Sequence, residues 1–216
     1  MSSIINFIKK EKKFVISLGI LLIGNAFLYW FLKMFQSNPI YIDFYLDDKI
    51  PFLGWFVYIY NMFYPLTIVA CYFLYKSDKE SYYKGVISCI IGCLICDIIF
   101  LILPTIMYRP EIPNYDSFTN LVIRVTFFFD EPPLNCFPSI HCVFCFQIIL
   151  SMIKSKCDRV KKAIFITSAF LIIISTLLVK QHFIYDVIAA FLVCLIANCI
   201  ENIFEIYKKL KRKKIL

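Results

Sequence analysis

Six long apolar runs constrain this 216-residue chain more than any other feature of its sequence. They cover residues 14–32, 52–75, 84–107, 137–153, 161–181 and 183–207. A helix that crosses a bilayer needs about 20 apolar residues, because each residue advances the helix by about 1.5 Å. The runs are too long for strands and lack the alternation of a transmembrane barrel. The sequence therefore predicts an all-α, polytopic membrane protein with six transmembrane helices.

The positions of the basic residues predict how these helices are oriented. Eighteen of the 23 lysines and arginines lie in the two terminal tails and in the segments 76–84 and 154–162. These segments alternate with segments that hold only five, so the positive-inside rule places both termini in the cytoplasm. The first run follows four lysines but lacks a small-residue cleavage site, and we interpret it as an uncleaved signal anchor.

Charge and cysteine content narrow the class of protein further. The net charge of +8 is explained by the cytoplasmic segments, and "KKLKRKK" at 208–214 is typical of a tail that contacts anionic lipid. Eight of the ten cysteines fall in apolar runs, where cysteine acts as a small hydrophobic residue. Disulfide and zinc spacings are absent. We expect a single membrane domain over 1–216, with the bilayer as partner and no nucleic acid; the sequence does not define an oligomeric state.

Several polar residues collect at the outer ends of the predicted helices. They include both histidines of the chain, and they are Arg109, Ser139, His141, Lys180, His182 and Asp186. Each has an ordinary alternative role: a histidine can be an interfacial polar residue, an arginine can reach lipid headgroups, and an acid can complement a helix dipole. Because the only two histidines share one depth, we interpret the group as a functional site.

The spacing of these residues is suited to phosphoryl transfer. A helix that includes residue 182 would place His182 and Asp186 on one face, where the carboxylate can fix the imidazole tautomer and leave the other nitrogen free to attack. The turn "FPSIH" offers the Ser139 hydroxyl and unpaired backbone N–H groups to an anion. Arg109 can bind phosphate in a bidentate manner, and His141 can protonate a leaving group.

A metal site is the competing interpretation of the same residues. Two histidines and an aspartate could hold zinc. However, His182 and Asp186 form an orienting pair, and a nearby arginine and lysine would repel a cation. We therefore expect neither a metal nor another cofactor.

Three short motifs resemble those of the type 2 phosphatidic acid phosphatase family. The family pattern is Arg-Pro, then Pro-Ser-x-His, then a distal His-x-x-x-Asp, and here these are "RP" at 109–110, "PSIH" at 138–141 and "HFIYD" at 182–186. Members are integral membrane phosphatases and phosphotransferases with a six-helix core. The resemblance covers the third to the sixth helix, so the motif-bearing core is about 84–207.

The resemblance implies a role for each motif residue. His182 would be the nucleophile that forms a phosphohistidine, and Asp186 would orient it. His141 would protonate the leaving oxygen, while Arg109 and Ser139 would bind the phosphoryl oxygens. No metal is expected.

The chain also departs from the family pattern. Ile102 and Thr176 stand where the family usually has phosphate-binding cations, and Ile140 stands where it has glycine. We expect Lys180 and Arg124 to supply the missing charges, although Arg124 could equally be a solvated loop residue. The pattern is similar to a divergent branch that includes inositol-phosphorylceramide and sphingomyelin-type synthases, which pass a phosphorylated headgroup to a lipid alcohol.

Three functions follow as hypotheses. The first is a lipid phosphatase that removes phosphate from a phosphorylated or diphosphate lipid at the outer leaflet. The second is a lipid phosphotransferase that uses the same intermediate, and the third is a non-catalytic lipid transporter. The composition is typical of an AT-rich genome, and we expect a bacterial plasma membrane with the active site on its extracytoplasmic side. The segment 116–129 is expected to form a short interfacial helix over that site.

Overall fold

The chain folds into helices, and most of the connections at one end of the bundle are long. The computed structural model describes residues 9–112 and 117–212, with side chains as far as Lys208. The helices in these residues are α1 (Lys12–Lys33), α2 (Gly54–Ser77), α3 (Lys79–Ile102), α4 (Phe118–Phe128), α5 (Ile140–Lys154), α6 (Arg159–Leu178) and α7 (Ile184–Arg212). Two short parallel strands, β1 (Ile40–Tyr41) and β2 (Thr105–Ile106), pair with each other. The described residues are therefore mainly helical, as the apolar runs predict.

Five helices in the described part of the chain are long and apolar enough to cross a membrane. They are α1, α2, α3, α6 and the part of α7 over Ile184–Lys208. The predicted run 137–153 instead forms α5, whose 15 residues extend about 22 Å, less than the roughly 30 Å of a bilayer core. The prediction of an all-α membrane protein is confirmed, while the exact number of six spans stays a prediction.

The short helix α5 lies at the centre of the bundle. It packs against α2, α3, α6 and α7. Nine of its 15 residues are buried, including Phe144 and Gln147. A helix that is surrounded by other helices need not match the thickness of the lipid. The central position of α5 also brings its first turn next to the segments that follow α3 and α6 and to the start of α7.

Side-chain caps define where four of the helices begin. Asp78, Ser117, Ser139 and Asp158 each accept a hydrogen bond from the backbone N–H three residues on. Such a cap stabilises a helix by about 1 kcal/mol. Asp78 also accepts the backbone N–H of Lys156 at 3.1 Å, so the two lysine-rich segments 76–84 and 154–162 meet at one end of the bundle.

The other end of the bundle holds the connections that carry the motifs. Helix α3 ends at Ile102, five residues before the predicted end of the apolar run, because Pro104 follows and residues 105–106 pair with β1 instead. The Thr105 hydroxyl accepts the backbone N–H groups of Cys136 and Phe137 at 3.1 and 3.0 Å. These two bonds fix the loop that leads into α5.

Helix α4 confirms the short helix expected near residues 116–129. It covers Phe118–Phe128, and Asp116 lies outside the described residues. Ile123 is buried against Val57 and Tyr60 of α2, while Phe118 and Phe128 are exposed. An exposed aromatic surface on a short helix is typical of an element at a membrane interface.

Candidate active site

The two histidines meet at the motif-bearing end of the bundle. His141 lies in the first turn of α5, and His182 lies two residues before α7 begins. Their ring centroids are 5.9 Å apart. Both side chains line one cavity of about 720 Å³. The structure therefore brings together the two residues that the sequence placed at one depth.

Two hydrogen-bond acceptors contact Nδ1 of His182. Its Nδ1 lies 3.2 Å from the Asp186 carboxylate and 3.1 Å from the Cys136 carbonyl oxygen. Helix α7 begins at Ile184, so His182 precedes it, and the expected pairing with Asp186 forms across the first turn rather than along a helix face. Asp186 is fixed in turn by the backbone N–H of Phe183, which donates to the same oxygen at 2.8 Å.

These contacts assign the tautomer of His182. A carboxylate and a carbonyl oxygen can only accept, so Nδ1 must carry the proton. In a neutral ring the proton on Nδ1 leaves Nε2 with a free lone pair. The Asp186 charge would also stabilise the positive ring that forms when Nε2 makes a bond. His182 is therefore arranged as a nucleophile or a base.

His141 lies in an aromatic environment. Its Nε2 is 3.3 Å from the Tyr60 hydroxyl, and its ring centroid is 4.5 Å from that of Phe63. The described residues show no carboxylate in contact with it, in contrast to His182. Only His182 is oriented by a carboxylate, so the two rings are suited to different roles.

Ser139 connects the second and third motifs. Its hydroxyl caps α5 by accepting the backbone N–H of Cys142 at 3.2 Å. Its own backbone N–H donates to the Asp186 carbonyl oxygen at 3.2 Å. The side chain is fully buried. Ser139 thus sets the position of the α5 N-terminus against His182 and Asp186, and its role as a phosphate ligand stays a prediction.

Arg109 reaches the same region from the segment after β2. Its Nη2 donates to the Asp130 carboxylate at 2.5 Å and to the Gln181 Oε1 at 2.8 Å. Its Nη1 donates to the Phe127 carbonyl oxygen at 3.2 Å. Only 7% of the Arg109 side chain is exposed. The guanidinium is therefore fixed directly beside the residue that precedes His182.

Asp130 and Lys33 belong to this cluster, and the sequence interpretation missed both. The Lys33 ammonium donates to the Asp130 carboxylate at 2.8 Å and to the Pro132 carbonyl oxygen at 2.9 Å, and the Tyr29 hydroxyl donates to the same carboxylate oxygen at 2.8 Å. Asp130 thus joins α1 to Arg109. The available signal was a lysine at the end of the first apolar run and an acid after an aromatic run, but no motif connects them.

The charge of Asp130 should make the stability of the protein depend on pH. Burial alone would raise the pKa of its carboxyl, but the Lys33 and Arg109 charges and the hydrogen bonds from Lys33 and Tyr29 lower it below its usual range. A lowered pKa stabilises the fold above the usual carboxyl range, and this contribution is lost as the pH falls through the lowered value.

We therefore expect Asp130→Asn to destabilise the fold by about 2–4 kcal/mol at pH 7, because it leaves two buried cations without their shared carboxylate. The midpoint of thermal unfolding in detergent, compared at pH 7 and at about pH 2, below the usual carboxyl range, checks this. The difference between the variant and the wild type should shrink at the lower pH. Equal midpoints at pH 7 would contradict the assignment.

The structure does not bring Lys180 or Arg124 into contact with the histidines. The Lys180 ammonium donates to the Asp47 carbonyl oxygen at 2.8 Å, and the Arg124 guanidinium donates to the Ile112 carbonyl oxygen at 3.3 Å. Arg124 also lies in α4 rather than in a loop. Neither contact supports these residues as replacements for the missing family cations.

The cavity between the histidines and the lipid-facing helices is mainly apolar. Its walls come from α1, α2 and α4, through side chains such as Ala26, Tyr64 and Val125. Asp130, Gln181 and the two histidines are among its polar lining residues. A cavity of this kind can hold a molecule that has a hydrocarbon part and one polar group.

The described residues include no cluster of metal ligands. No group of three or more histidine, cysteine or acidic side chains is close enough there to hold an ion. The donor set near His182 is also unsuited to a cation, because the Arg109 guanidinium lies beside it and Nδ1 of His182 already faces Asp186. The arrangement offers a nucleophile, a second histidine and N–H donors instead.

Comparison with known proteins identifies the family. The family model described as the PAP2 superfamily matches residues 35–200, which includes every motif residue named above. No curated protein and no solved structure matches the chain significantly. The matched region is more than half of the sequence and contains the histidine pair with its Arg109 neighbour. This chain therefore belongs to the PAP2 superfamily, the type 2 phosphatidic acid phosphatase family.

Proposed function

We propose that this protein is a lipid phosphatase that works through a phosphohistidine on His182. The observation that carries the proposal is the pair of acceptors on Nδ1, the Asp186 carboxylate and the Cys136 carbonyl oxygen. They leave Nε2 as the free nitrogen of a residue that lines the same cavity as His141. A transporter has no need of a histidine that is oriented in this way, so the arrangement favours an enzyme.

The proposed reaction has two steps. In the first, Nε2 of His182 attacks the phosphorus, a nitrogen–phosphorus bond forms, and the bond from phosphorus to the lipid oxygen breaks. His141 gives a proton to that oxygen. In the second, His141 removes a proton from a water molecule, which attacks the phosphorus and releases inorganic phosphate from His182. Arg109 and the N–H groups at the start of α5 would bind the phosphoryl oxygens.

A phosphotransferase is the second candidate, and the charge of the site favours it. Asp130 already neutralises part of the charge of Arg109 and Lys33, and Ile102 and Thr176 stand where the family usually has cations. A site of low positive charge suits a phosphodiester, which carries one negative charge, better than a monoester, which carries about two. The covalent intermediate would then pass to a lipid alcohol instead of water.

The proposed location is the extracytoplasmic end of the bundle. Helix α5 begins at the site and ends at Lys154, next to the end where the two lysine-rich segments meet at Asp78 and Lys156. The positive-inside rule assigns that lysine-rich end to the cytoplasm. The histidines would then act on lipid in the outer leaflet.

A labelled-lipid assay on the purified protein tests the proposed reaction. Phosphatidic acid, an isoprenyl diphosphate and a phosphodiester lipid, each with radioactive phosphorus, are incubated in detergent with EDTA. We expect labelled inorganic phosphate from at least one substrate at the rate seen without EDTA. The same reactions with added diacylglycerol, ceramide or inositol would give a new labelled product if the protein is a transferase. Absence of turnover for every substrate, or strict dependence on a divalent metal, would contradict the phosphohistidine reaction.

A further inference from the structure

Two buried N–H donors beside His182 have no acceptor among the residues that the structure describes. They are Nε of Arg109 and Nε2 of Gln181. The two side chains touch each other, since Arg109 donates to the Oε1 of Gln181 at 2.8 Å. Buried N–H groups in proteins are nearly always paired, so two neighbouring exceptions indicate an acceptor that binds there.

The orientation of the Gln181 amide is fixed by Arg109. A guanidinium can only donate, so the amide oxygen must face it and the amide NH₂ must lie on the other side. The backbone is held as well, because the N–H groups of Gln181 and His182 both donate to the Thr176 carbonyl oxygen, at 2.9 and 3.2 Å. Only 3% of Gln181 is exposed, and it lines the cavity together with both histidines.

A purely structural glutamine in this bundle looks different. Gln147, at the middle of α5, uses both ends of its amide: its Oε1 accepts from Asn198 at 2.8 Å and its Nε2 donates to Ser151 at 3.1 Å. Gln181 uses only its oxygen. The unused NH₂ is the end that a structural role does not explain.

We propose that Gln181 is a phosphate-binding residue whose Nε2 donates a hydrogen bond to a non-bridging oxygen of the phosphoryl group during transfer to His182. This inference rests on the proposed function. Gln181 directly precedes His182, and Arg109 holds its amide in place through the hydrogen bond to Oε1. The Gln181 amide would thereby bind phosphate without a charge of its own. Ile102 and Thr176, which stand where the family usually has cations, carry no charge either.

Two variants and orthovanadate, which mimics the phosphoryl group in its transition state, test the proposal. Gln181→Glu keeps the acceptor for Arg109 but has no N–H to donate. Gln181→Leu removes both the acceptor oxygen and the N–H donor. Loss of one positioned donor to a developing anion costs about 10²-fold or more in rate. We expect kcat/KM on the labelled lipid to fall by about that factor in each variant, with a similar rise in the vanadate inhibition constant.

Gln36→Leu is the matched control. Gln36 is half-buried and its amide donates to the Phe100 carbonyl oxygen at 3.4 Å, away from the histidines. It should lower the unfolding midpoint without a change in vanadate inhibition. Folding of the Gln181 variants is checked by the same unfolding midpoint, and the glutamate variant, which keeps its contact with Arg109, should remain close to the wild type.

The outcomes separate this inference from the proposed function. If the wild type turns over lipid and both folded Gln181 variants keep its kcat/KM and vanadate inhibition, the role of Gln181 is wrong and the phosphatase proposal stands. If the wild type turns over no lipid, the proposed function is wrong, and vanadate binding measured by thermal shift decides on Gln181. A shift that is present in the wild type and absent in Gln181→Glu would support it; equal shifts, or none in the wild type, would overturn it.

Discussion

His182→Ala is expected to lower phosphate release from lipid by at least about 10³-fold, because it removes the nitrogen that forms the covalent bond to phosphorus. The wild-type ring is presented by Asp186 and the Cys136 carbonyl oxygen, and no other described side chain near the site combines a free lone pair with such support. The measurement is the release of labelled inorganic phosphate from the substrate that the wild type turns over, with the unfolding midpoint as a check on folding.

His141→Ala is the informative comparison for this result. If His141 is the acid, its loss should slow the reaction of a lipid, whose leaving oxygen needs a proton, far more than the first step with an aryl phosphate, whose leaving group needs none. His182→Ala should abolish both reactions. Equal activity of wild type and His182→Ala on either substrate would remove His182 as the nucleophile.

Asp186→Asn is expected to lower kcat by about 10²–10⁴-fold with little change in structure, as occurs when the aspartate of a catalytic histidine pair is replaced by its amide. An asparagine oxygen can still accept the backbone N–H of Phe183, which Asp186 accepts at 2.8 Å. It carries no charge, however, and cannot stabilise the positive ring of His182 when Nε2 forms its bond. The kcat and the unfolding midpoint are measured on the same preparations.

Asp47→Asn provides a matched control for Asp186→Asn. Asp47 is also buried, and it accepts the backbone N–H of Ile184 at 3.0 Å, so it fixes the start of the same helix. It has no contact with His182 among the described residues. We expect its amide variant to lose stability and to keep most of its kcat. An Asp186→Asn enzyme with wild-type kcat would contradict the orienting role of Asp186.

The helical membrane fold was predictable because long apolar runs determine it almost alone. The meeting of His141 and His182 was predictable because the bilayer places helix ends at common depths, which requires no knowledge of the packing. The end of α3 at Ile102 was missed, since the run stays apolar beyond Pro104 and the strand pairing of Thr105 depends on a distant segment.

The rest of the cluster could not be predicted because it depends on contacts between distant residues. Lys33 and Asp130 are 97 positions apart, and Arg109 and Gln181 are 72 apart. Lys180 was selected because it lies one helical turn after Thr176, yet the backbone turns at Lys180 with a φ of 54° and the side chain extends to Asp47. The fold instead brings Arg109, Asp130 and Gln181 together.

The central claim is that phosphate passes through a covalent bond to His182, and trapping that intermediate tests it most directly. His141→Ala is mixed with a radioactive aryl phosphate, so that the first step proceeds and the second, which needs His141 as a base, is slow. After rapid denaturation in alkali, where phosphohistidine survives, the labelled peptide is identified by mass spectrometry. The account predicts label on the peptide that contains His182 and none in the His141→Ala, His182→Ala double variant. Label on another residue, or turnover without any labelled protein, would contradict it.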